Sequence, residues 1–83
     1  MQYIYYIINM KDTTNMKMKL ARVESNLSQQ QLAEKVGATR QTIGLIEKGK
    51  YNPSLNLCIR IARSLNRTLD EIFWEEPNNE QSI

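Results

Sequence analysis

Arg40, Gln41, Gly44 and Leu45 are the residues whose types and spacing most invite a chemical reading in this 83-residue chain. At about 100° per residue, Ile43 and Ile46 fall together on one side of a helix starting at Arg40, and the other four fall on or near the opposite side. A guanidinium with five donors then stands beside a carboxamide that both donates and accepts. Such a face can recognise a partner, but it cannot break bonds. Catalysis has nothing else to draw on, because the sequence has no histidine, no activated nucleophile, no clustered carboxylates and no glycine-rich phosphate loop. Cys58, the single cysteine, can form neither an internal disulfide nor a zinc site. The expectation is a non-enzymatic binding protein with no metal, no cofactor and no small-molecule ligand.

Charge narrows the partner. The net charge is only +2, yet residues 16–69 carry ten lysines and arginines against three glutamates, while residues 70–83 carry five acids and no base. A basic body with an acidic tail suits a polyanion, although scattered cations are also what a solvated surface carries. With 41% hydrophobic and 24% charged residues the chain has a globular balance, and its length allows one domain. Lacking staples, a domain this small must pack its helices well or gain burial by pairing. The apolar run at residues 3–8 precedes the first cation, Lys11, and falls far short of the roughly 20 residues that span a bilayer. A cytoplasmic protein without a membrane partner is therefore expected.

The elements that must hold the Arg40 face are marked by periodicity and caps. Met16, Leu20, Val23 and Leu27 predict a first helix with one apolar stripe, ending near Asn26, a residue tolerant of left-handed backbone. Ser28 and Gln31 form a capping box, Leu27 and Leu32 a hydrophobic staple, and Leu32, Ala33 and Val36 the buried face of a second helix that Gly37 stops. Thr39 caps the third. Two short helices joined by a glycine turn make a helix-turn-helix. After a basic loop over residues 48–53, Ser54 caps a fourth helix with Leu55, Cys58, Ile59, Ala62 and Leu65 as its stripe, Cys58 being a small core residue. Thr68 and Glu71 open a short fifth helix with Ile72 and Phe73 to bury.

These signals divide the chain into an extension (1–15), an all-α five-helix domain (16–76) and an acidic polar tail (77–83). The extension has two readings. It is a disordered read-through upstream of a start at Met16, or its aromatic and β-branched residues form a strand that makes a short terminal β-ribbon with residues 73–75.

From Met16 to about Glu76 the sequence resembles the Cro/repressor-type, or xenobiotic-response-element-like, helix-turn-helix regulators of bacteria and phages. The resemblance rests on LSQQQLAEKVG (27–37), TRQTI (39–43), IEKGK (46–50), NPSL (52–55) and LDEIF (69–73), in that order. It implies a lambda-repressor-like domain whose third helix enters the major groove of double-stranded DNA, acting as a transcriptional regulator, a repressor by preference, on a two-fold operator. It further implies that Arg40 reads guanine and Gln41 adenine, that Leu45 meets a thymine methyl, and that Gln29, Thr39, Lys50 and Asn52 contact the DNA backbone. Gly44 would leave room against the groove wall. Arg22 and Glu47 would form an ion pair between the first and third helices, which the place of Glu47 at the edge of the buried face also favours. Because one short helix reads too few bases, a homodimer is expected, with Leu69, Ile72, Phe73 and Trp74 as candidate contacts. Ile72 and Phe73 are equally placed to finish the core. The rival reading is an antitoxin-like or phage accessory module that uses the same fold to bind a protein, but outward Arg and Gln favour DNA. The short tail leaves no room for a ligand-sensing domain.

Overall fold

The computed structural model describes residues 15–73. Among them lie five helices and no strand: α1 (Met16–Glu24), α2 (Gln29–Val36), α3 (Arg40–Glu47), α4 (Leu55–Ser64) and α5 (Leu69–Phe73). This is an all-α fold. The strand expected within residues 3–8 lies outside the described residues, as do Trp74 and the acidic tail, and Phe73 itself is helical.

Every helix starts on a side-chain cap. Asn15 Oδ1 accepts from Met18 N at 3.0 Å, so Asn15, assigned to the extension by its sequence, belongs to the fold. The Ser28 box closes both ways, with Gln31 N donating to Ser28 Oγ at 3.0 Å and Ser28 N to Gln31 Oε1 at 2.8 Å. Thr39 and Ser54 accept from Thr42 N and Leu57 N. The Thr68 and Glu71 box also closes, at 2.8 and 3.2 Å. Each cap satisfies an amide the helix cannot, and is worth about 1 kcal/mol.

The first four helices also stop in one way. Asn26, Gly37, Gly49 and Asn66 all have positive φ, and the next residue's N–H reaches back five positions: Leu27 to Arg22 O, Ala38 to Ala33 O, Lys50 to Leu45 O and Arg67 to Ala62 O. This is the Schellman motif. It reverses the chain within two or three residues, which gives α2 and α3 their tight turn. Arg60 Nε adds a bond to Val36 O at 2.9 Å and ties α4 to the end of α2.

Met18, Leu32, Ala33, Val36, Ile43, Ile46, Leu57, Ile61, Leu65 and Ile72 fill one core, with α2 packed on α3 and α4, and α5 on α1 and α4. The faces predicted for α2 and α3 are the ones buried. Two other expectations are corrected. On α1 the buried residues are Met18, Ala21 and Arg22, while Met16, Leu20 and Val23 are exposed, the reverse of the predicted stripe. The two faces lie roughly 180° apart on the wheel, and the one carrying Arg22 is turned inward by that side chain's partners. On α4, Ala62 and Leu65 are buried as predicted, but Leu57 and Ile61 are core as well, Leu55 is exposed at the first turn, and Cys58 and Ile59 are half-buried. Contact with both α2 and α5 shifts the inner face of α4 partly from the predicted one, toward Leu57 and Ile61.

Candidate nucleic-acid interface

The geometry around α3 is governed by one buried cluster. Arg22 Nε donates to Glu47 Oε2 at 2.7 Å and Arg22 Nη2 to Glu47 Oε1 at 3.3 Å, with both residues buried. The third guanidinium nitrogen, Nη1, donates to Leu27 O at 2.8 Å. Gln29 Nε2 donates to Glu47 Oε1 at 3.0 Å, and Asn15 N to Glu47 O at 2.8 Å. A single glutamate at the end of α3 is thus gripped by the start of α1, the last turn of α1 and the start of α2. The predicted ion pair is present, and each of the three guanidinium nitrogens and both carboxylate oxygens has a hydrogen-bond partner, which helps a charge pair to be tolerated away from water. Its effect is to set the orientation of α3.

With Ile43 and Ile46 turned inward, Arg40 and Gln41 stand exposed on the first turn of α3, and Gly44 and Leu45 are half-exposed a turn later. Thr39 and Gln29 behave less simply than their sequence positions suggest. The Thr39 hydroxyl accepts from Thr42 N and donates to Thr42 Oγ1 at 2.9 Å, so it is used within the cap. The Gln29 carboxamide is turned to Glu47, and its atoms lie 3.7 and 3.9 Å from where a Cβ on Gly44 would sit. The first turn of α2 is thereby held against the middle of α3. This link was not legible from residue type, because a glutamine at a helix start has no fixed partner. Lys48, Lys50, Tyr51 and Asn52 are exposed in the loop after α3.

Gly44 has no intramolecular need to be glycine. A Cβ there would meet only ordinary van der Waals contact with Gln29. Gly44→Ala should therefore raise stability by about 0.5–1 kcal/mol, the helix-interior cost of glycine, measured as a shift of the urea midpoint.

Two side chains do less than expected. Ile72 is 2% exposed and completes the core, so it has no surface to offer a second copy; Leu69 and Phe73 are partly buried against the same core. Cys58 is half-buried with its thiol pushed up by that burial, the opposite of an activated cysteine.

Among the described residues no helix is long and apolar enough to cross a membrane. The helix-turn-helix family profile matches residues 18–72, from the first core residue of α1 to the last of α5. The chain belongs to the helix-turn-helix family. Its resemblance to the Cro/repressor type is supported by relatives of this helix-turn-helix chain. An uncharacterized HTH-type transcriptional regulator of Archaeoglobus fulgidus is 47% identical over 57 residues, covering 69% of this chain and 80% of that protein. The immunity repressor protein of Bacillus phage phi105 is 38% identical over 64 residues, 77% of this chain but only 44% of the phage protein. Among solved structures, the restriction-modification controller protein C.AhdI from Aeromonas hydrophila superposes with a TM-score of 0.70 at 26% identity, covering 82% of this chain and 97% of that one. The helix-turn-helix family to which this chain belongs is one of transcriptional regulators, not of catalysts.

Proposed function

We propose that the protein is a sequence-specific double-stranded DNA-binding regulator that acts as a repressor, binding a two-fold operator as a homodimer. The observation that carries this reading is the α3 face: Arg40 and Gln41 point to solvent from a helix whose inner side is locked by Ile43, Ile46 and the Glu47 cluster. A helix of this diameter fits the major groove, where Arg matches guanine O6 and N7, Gln matches adenine N6 and N7, and Leu45 can meet a thymine methyl. Gln29, Thr39, Lys50 and Asn52 contact the backbone, the first two through main-chain amides at the starts of α2 and α3, since their side chains are engaged internally. Repression is favoured by the likeness to a phage immunity repressor, and a DNA-bound regulator acts in the cytoplasm. The homodimer surface draws on Leu69, Phe73 and Trp74, of which Trp74 lies outside the described residues.

Selection of bound sites from random duplex DNA tests the whole reading. The expected result is a site with two inverted half-sites one helical turn apart. Titration of salt against affinity should give a steep negative slope in log–log form, because each neutralised phosphate releases counterion. An antitoxin-like module would instead yield no enriched duplex and a protein complex insensitive to salt.

A further inference from the structure

The first turn of α2 is joined to α3 by one polar side chain. The buried residues of α2, Leu32, Ala33 and Val36, all lie beyond that turn, and Gln30 and Gln31 are exposed, which leaves Gln29 as its half-buried residue. The Gln29 carboxamide makes one hydrogen bond among the described residues, from Nε2 to Glu47 Oε1, and lies alongside Gly44, one turn earlier on α3. An ion-paired carboxylate only accepts, so the nitrogen end of the carboxamide is the end that faces it. The charge pair does not depend on this bond, because Glu47 keeps both contacts with Arg22 without it. What the bond adds is a fixed place for the start of α2 beside the helix that carries Arg40 and Gln41.

We propose that Gln29 is a positioning residue for operator recognition: its side chain sets the spacing between the phosphate-binding start of α2 and the base-reading face of α3. The inference rests on the DNA-binding reading above and adds to it a determinant of discrimination. Phosphate contacts fix the register of a protein on the duplex, and base contacts read its sequence. An operator complex makes both at once and so depends on the distance between them. A complex with non-operator DNA is held through phosphates and tolerates a change in that distance. Loosening the link therefore lowers discrimination more than affinity for DNA in general.

The test is Gln29→Met, which keeps an unbranched side chain of similar length beside Gly44 and the main-chain amide of residue 29, and removes the donor to Glu47. Gln30→Met is the control one residue along, where the lost bond runs to Glu34 within α2 at 3.0 Å. Affinities are measured for the selected operator and for a duplex with both half-sites scrambled. A smaller folded fraction lowers both affinities alike, so their ratio reports positioning and not stability. In Gln29→Met the ratio should fall about ten-fold, and in Gln30→Met it should stay within about two-fold of the wild-type value. An equal loss on both duplexes would make the Gln29 side chain a phosphate contact, and an unchanged ratio would make the link idle. Either result overturns the proposal, as does a fall of the same size in Gln30→Met. A wild-type protein that selects no duplex overturns the DNA-binding reading itself, a result distinct from any shown by the variants.

Discussion

Glu47→Ala should cost about 3–5 kcal/mol of stability, because it leaves the Arg22 guanidinium buried with only the Leu27 carbonyl to face. A domain of this size has of the order of 5 kcal/mol in total, so the variant should be largely unfolded at physiological temperature. The comparison that isolates the cause is the double variant Arg22→Met, Glu47→Leu. Replacing both charges by apolar groups of similar volume removes the uncompensated ion, so the double variant should recover most of what the single one loses. Urea denaturation measures both. A single variant that loses less than about 1 kcal/mol would show that the pair is solvated like a surface bridge. The exposed Arg67 and Glu24 pair at 2.8 Å is the internal control, and Glu24→Ala should change stability by no more than about 0.5 kcal/mol.

Arg40→Ala should weaken binding to the selected operator by about 1–3 kcal/mol, or roughly five- to 150-fold, without destabilising the fold, since the side chain is exposed. The expected signature is a loss of preference at one base pair in each half-site. Lys50→Ala provides the contrast: an exposed cation that meets phosphate should lower affinity for every duplex alike and reduce the salt slope by about one. Competition binding against single-base operator variants separates the two. If Arg40→Ala lowered all affinities equally, the guanidinium would be a phosphate contact, and base reading would fall to Gln41 and Leu45.

Gly44→Ala connects these two experiments. Its Cβ has room in the free protein, so the variant should be more stable; weaker operator binding by the same variant would then have to come from the approach of the groove wall. Equal binding would leave the glycine without a role in recognition.

Local signals in the sequence determined where the helices begin and end. Ser28, Thr39, Ser54 and Thr68 cap as their types and followers predict, and Asn26, Gly37 and Gly49 stop helices, because a cap or a left-handed residue acts on the four or five backbone groups beside it and needs no distant partner. The inner face of α3 was equally legible, since Ile43 and Ile46 share one side of the helix and Leu45 stands alone on the other. The tertiary structure alone decided the face of α1 and the part of the α4 face that Leu57 and Ile61 fill. α1 carries two credible stripes, and the apolar one lost to the one holding Arg22, because only that face brings a guanidinium to Glu47 and Leu27. α4 has apolar residues around most of its circumference, so its rotation followed from where α2 and α5 stood. Tertiary contact likewise turned the Gln29 carboxamide inward to Glu47 and drew Ile72 into the core. A hydrogen bond or a buried contact between residues 18 or 25 positions apart depends on how the helices are placed in space, and periodicity along one helix carries no record of that placement.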